Sequence, residues 1–132
     1  MEVHRALGPG FLKVVYQRAL EIELKGRGIP YEREVSFPVY YRGVDLGLRH
    51  RIDFLCYGDV LLELKALGRL TSLEESRVIH FLLASGVRRA ILMNFGARSL
   101  EYKRFVGPRY RTKNEPSSVQ SVKSVDGVGS VG

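Results

Sequence analysis

A single cysteine, Cys56, stands in the whole sequence. No disulfide can therefore form within the chain, and the cysteine-rich spacing of structural zinc sites is absent. That fits a reducing compartment. No apolar run approaches the ~20 residues that a membrane span requires. The first residues lack the charged-then-apolar pattern of a secretion signal. The chain is accordingly expected to be cytoplasmic, with no membrane partner. Dense runs of lysine and arginine are also missing: the net charge of +7 is spread along 132 residues. A diffuse basic excess permits binding to phosphates or nucleic acid without demanding it. No internal repeat is found in the part expected to fold.

What is present suffices for one domain with a real core, since 45% of the residues are hydrophobic. Residues 2–7 read as helical, interrupted by Gly8, Pro9 and Gly10. A longer helix is expected from about residue 11 to 25, with Phe11, Leu12, Val15, Ala19 and Leu20 at helical spacing and Gly26 and Gly28 closing it. Residues 31–40 alternate as a strand, and Pro38 suggests an edge position for it. Residues 49–57 and 60–66 read as two more strands. Thr71 or Ser72 begins a second helix, with Glu74 or Glu75 completing a capping box and Gly86 ending it. Residues 89–95 and 100–106 read as the last strands. An α/β domain over residues 1–106 follows, with a mixed sheet of about five strands flanked by two main helices. Residues 107–132, rich in Ser, Gly and Val, read as a disordered low-complexity tail.

The chemistry concentrates in the central pair of strands. Ile52, Phe54 and Cys56 alternate with Arg51, Asp53 and Leu55. Val60, Leu62 and Leu64 alternate with Leu61, Glu63 and Lys65. One face is expected to be core, with Cys56 in it, and the other to carry the charges. Glu63 and Lys65 share a face. A two-residue loop at Gly58 and Asp59 would leave Asp53 on the opposite face from Glu63. A three-residue loop at Tyr57, Gly58 and Asp59 would set the two carboxylates directly opposite, and the apolar register favours it. Facing carboxylates repel unless a cation sits between them. A hard divalent ion such as Mg²⁺ would suit, and would polarise a phosphate, with Lys65 stabilising charge on its oxygens. A solvated face with a Glu/Lys cross-strand pattern accounts for the same spacing.

Residues 8–16 (GPGFLKVVY) resemble the signature of the GxxExxY proteins, small bacterial proteins of the PD-(D/E)XK nuclease superfamily. Collinear matches follow at residues 19–24, 28–30, 39–41, 51–53, 62–66, 82–86 and 94–96. The resemblance covers about residues 2–106. It implies a restriction-endonuclease-like core, Asp53 and Glu63 as metal ligands, Lys65 as the catalytic lysine, and Mg²⁺-dependent hydrolysis of nucleic-acid phosphodiesters. Gly10 and Tyr16 match the signature.

Two positions depart from it. Lys13 stands where the family has glutamate, and Arg77 where it usually has glutamine. Both changes turn an acidic constellation net basic, so weakened Mg²⁺ binding is expected, or a cationic pocket that holds a phosphate directly. The family's first helix also usually begins before the position of Met1, so the expectation is either an N-terminally truncated domain or a misassigned start. Tyr16 is read either as a hydrogen-bonding group near the site or as a half-buried packing residue. His80 shares a helical face with Arg77 and reads as a partly exposed structural residue. Tyr40, Tyr41 and Arg42 could stack on bases, though strand aromatics more often pack. Three functions are consistent with these features. The first is a nuclease-like protein acting on DNA or RNA, its activity impaired by Lys13 and Arg77. The second is a non-catalytic nucleic-acid-binding module, and the third a homodimer formed through an exposed sheet edge.

Overall fold

A computed structural model describes residues 1–107 and the backbone of residues 123–125. Helix α1 (Glu2–Leu7) leads through Gly8, Pro9 and Gly10 into α2 (Lys13–Gly26). Gly8 and Gly10 have φ of 67° and 110°, in the region where a side chain is disfavoured, so the loop can double back only with glycine there. The buried stripe of α2 is Tyr16, Leu20 and Leu24. Phe11 and Leu12, expected in that stripe, precede the helix and are exposed.

Strands β1 (Tyr31–Tyr41) and β2 (Val44–Cys56) form a long antiparallel hairpin. Its two-residue turn, Arg42 and Gly43, has positive φ at both positions, the geometry that matches strand twist. β2 therefore begins at residue 44 rather than 49. Its first residues are exposed and are held by the ladder to β1, not by burial.

A second hairpin joins β2 to β3 (Val60–Lys65), with Phe54 opposite Leu62 and Cys56 opposite Val60. The connection is the three-residue loop at Tyr57, Gly58 and Asp59, with Tyr57 and Gly58 at positive φ. Helix α3 (Ser72–Ser85) then crosses to β4 (Arg89–Asn94), which lies parallel to β3. Thr71 and Glu74 close a reciprocal capping box at its start, and Gly86 ends it in the left-handed conformation. β5 (Glu101–Val106) returns antiparallel.

The mixed sheet has the order β1-β2-β3-β4-β5-β6, so β1 is an edge strand, as Pro38 suggests. Its sixth strand, β6 (Lys123–Val125), pairs with β5 and comes from the segment expected to be disordered. The rest of the expected tail beyond Gly107 lies outside the described residues.

Helices cover both faces of the sheet. Tyr16, Leu20 and Leu24 of α2 pack with Phe54, Cys56, Leu62 and Leu64. Val78, Phe81 and Leu82 of α3 pack with Ile52, Leu61, Leu92 and Phe105. Two expectations are corrected here. Asp53 and Glu63, on the charged face of the central hairpin, are buried rather than solvated, because a central strand in this architecture is covered from both sides. And Ile52 does not share a face with Phe54 and Cys56. The β1–β2 ladder pairs Val35 with Ile52 and Arg33 with Phe54 but skips Glu34 and Asp53 between them. Glu34 there has a φ of 56°, and the alternation of both strands shifts at this point.

Candidate functional site

Asp53 occupies the residue at which the alternation shifts. The β2–β3 ladder ends at Phe54, and the next donor of β3, the Leu64 N–H, is met by Asp53 Oδ2 at 2.7 Å. The carboxylate thus replaces a backbone acceptor and is drawn inside; Asp53 is only 6% exposed and Glu63 4%. Both side chains are held together away from water, where two negative charges cannot coexist cheaply.

The first turns of α2 supply the compensation. Lys13 Nζ lies 3.0 Å from Asp53 Oδ1 and 3.8 Å from Glu63 Oε1. Gln17, one turn later, donates to the same Asp53 Oδ1 at 2.5 Å. A lysine in the first turn of a helix is opposed by the helix dipole, so the buried carboxylates must hold Lys13 there.

Burial pushes the Glu63 carboxyl up to about 9, reinforced by its hydrogen bond to Asp53 and the charge of Asp53, while Lys13 and Lys65 pull the other way. Burial would also raise Asp53. The Glu63 carboxyl, the Leu64 N–H and the Lys13 ammonium outweigh it and hold Asp53 below its ordinary value. At neutral pH the two carboxyls therefore share one proton and keep a single negative charge between them, which faces the Lys13 ammonium.

Lys65 ends β3 beside Asn94 of β4 and is partly buried. Its charge is felt at Glu63 and Glu74, but its ammonium forms no ion pair among the described residues. Arg77 is not brought to the site. α3 turns Val78, Phe81 and Leu82 inward, which leaves Arg77 and His80 exposed, and Arg77 pairs with no carboxylate among the described residues. The expected two-lysine-and-arginine pocket is reduced to Lys13 and Lys65.

Tyr16 is fully buried rather than half-buried. Its ring stacks on Phe95 at 4.9 Å, and its hydroxyl donates to the Gly8 carbonyl at 2.6 Å while accepting from the Phe11 N–H at 3.2 Å. It ties the loop carrying Gly10 to the start of α2, and so positions Lys13. Cys56 lies in the core, where burial pushes its thiol up. Gln17 is the residue that sequence reasoning overlooks. Its one signal is the four-residue spacing from Lys13 on the same helical face.

An α/β core with a buried carboxylate pair and a lysine at the end of its central hairpin defines a nuclease-type fold. The model of the PD-(D/E)XK nuclease superfamily matches residues 1–105, and the chain belongs to that superfamily. Comparisons with curated proteins and with solved structures return no match. The superfamily typically uses divalent metals. The residues present here do not fit one while Lys13 is in place. Among the described residues no group of three or more His, Cys, Asp or Glu side chains gathers to hold a metal, and no buried side-chain nitrogen or oxygen lacks a partner. No helix among them is long and apolar enough to cross a membrane.

Proposed function

We propose that this chain, standing with the GxxExxY proteins inside its superfamily, binds the phosphate backbone of nucleic acid at the end of the central hairpin without metal-dependent cleavage. The observation that carries this reading is the Lys13 ammonium 3.0 Å from Asp53. With Lys13 facing the one charge of the carboxylate pair, Lys65 remains as a positive charge at the site that forms no ion pair among the described residues. Arg49 and Arg51 add to it. They are exposed on β2 at two-residue steps leading to Asp53, alternate with His50 and Ile52, which pack toward α3, and form no ion pair among the described residues. Such a site attracts an anion rather than a cation. Fluorescence anisotropy of labelled DNA and RNA oligonucleotides in the presence of a chelator tests it. Binding that persists in chelator supports the reading, and the absence of binding to either polymer refutes it.

A second reading, Mg²⁺-dependent phosphodiester hydrolysis with Asp53 and Glu63 as ligands and Lys65 as the catalytic lysine, draws on the 38% exposure of the Lys13 side chain, which leaves it room to swing outward. Cleavage that begins on adding Mg²⁺ and is lost in Lys65→Ala would establish it in place of the first.

A further inference from the structure

We infer that Lys13, braced by Gln17, is a built-in counter-ion that takes the position of a divalent cation, so that the site assembles without metal and rejects divalent ions. The inference concerns the same site as the proposed nucleic-acid binding but does not rest on it. A chain that ignored oligonucleotides would leave it standing.

Four observations converge on it. The Lys13 ammonium contacts both buried carboxylates, at 3.0 and 3.8 Å, as a bridging cation would. Asp53 is nearly saturated without metal: Oδ1 receives Lys13 and Gln17, and Oδ2 receives the Leu64 N–H. A carboxylate offers about four lone-pair positions, so a metal would have to evict these donors. No buried side-chain polar atom among the described residues is left wanting a ligand. Finally, the start of α2 is fixed by the Tyr16 hydroxyl, which bonds to Gly8 and Phe11, so the backbone beneath Lys13 is anchored. A hard dication needs several oxygen donors and is repelled by a neighbouring ammonium. Replacing Lys13 by glutamate would bring three carboxylates together and create the donor set that the chain lacks.

Thermal denaturation in chelator, in millimolar Mg²⁺ and in millimolar Mn²⁺ tests the inference on the full chain and on two variants. The wild-type Tm is expected to stay constant within about 1 °C across the three conditions, whereas removing a stabilising contact from a domain of this size shifts it by several degrees. Lys13→Met is expected to lower Tm in every condition. Lys13→Glu is expected to lower it in chelator and to regain it in Mg²⁺ or Mn²⁺, because a ligand that binds only the folded state stabilises it. A wild-type Tm that rises with either ion overturns the inference. So does a Lys13→Met chain as stable as wild type, or a Lys13→Glu chain that gains nothing from metal. Should Lys13→Met fail to fold, the double variant Lys13→Met/Asp53→Asn decides. With a neutral amide in place of Asp53 the buried charge that Lys13 faces is gone, so Lys13→Met is expected to cost fewer degrees there, measured against Asp53→Asn alone. An unfolded double variant, or a loss as large as one that unfolds the single variant, overturns the inference.

Discussion

The Lys13 ammonium and the Asp53 carboxylate meet at 3.0 Å across the joint between α2 and β2. That contact sets the charge balance of the candidate site. The fold places two carboxylates inside the protein, and the helix that packs over them supplies their cation from its own first turn.

The placement of that turn depends on Tyr16. Tyr16→Phe keeps the ring against Phe95 but leaves the Gly8 carbonyl and the Phe11 N–H without their partner. A loss of about 1–3 kcal/mol in urea unfolding is expected. An unchanged midpoint would show that the hydroxyl does not hold the loop.

Stability is expected to depend on pH through Glu63. The folded chain keeps the Glu63 proton up to about 9, whereas an ordinary glutamate releases it near 4.5. Between those values the unfolded chain binds fewer protons than the folded one. The contribution is therefore full below pH 4.5 and is lost as pH rises toward 9. Asp53 acts in the opposite sense: its lowered value gives stability that is present above its ordinary 3.8 and is lost as pH falls below that. Glu63→Gln is expected to flatten the alkaline decline, removing a slope of at most about 1.4 kcal/mol per pH unit. Urea midpoints measured from weakly acid to weakly alkaline pH check this, and parallel curves for the two proteins would contradict it.

A tight crossing beyond β3 gives a third expectation. The Asn94 side chain accepts from the Leu67 N–H at 2.8 Å and donates to the Leu67 carbonyl at 2.9 Å and to Glu101 at 2.8 Å. A Cβ on Gly96 would overlap the Leu67 backbone, whereas one on Gly26 at the end of α2 would meet nothing. Asn94→Ala and Gly96→Ala are each expected to cost about 2 kcal/mol or more. Gly26→Ala is expected to be neutral or to stabilise by up to about 1 kcal/mol. Chemical denaturation of the three variants side by side reads the contrast.

Much of this arrangement is legible in the sequence, for reasons that differ from residue to residue. The three-residue loop is readable because only that register aligns Phe54 and Cys56 with Leu62 and Val60. The capping box of α3 is readable because its bonds are local. The burial of Asp53 and Glu63 is not, since a period of two distinguishes the sides of a strand but does not reveal that a helix covers the second side. The shift at Glu34 and Asp53 is hidden for a related reason: alternation is a property of each strand, while the irregularity belongs to their pairing. The buried stripe of α3 at Val78 and Leu82 is readable from helical spacing, but the sequence does not show how far the neighbouring Arg77 lies from the carboxylates. In the sequence Gln17 is one more polar residue on a helix, and its role comes from Asp53 lying beneath it.

A cationic phosphate site at the hairpin end is tested most directly by the salt dependence of nucleic-acid affinity. Association constants for one labelled duplex, measured in chelator over a series of salt concentrations, give the slope of log K against log salt for wild type and for Lys65→Ala. Strong salt dependence is expected for the wild type, with a slope smaller in magnitude by about 0.9 in the variant, the loss of one phosphate contact. Identical slopes for the two proteins, or affinity that appears only when Mg²⁺ is added, would contradict it.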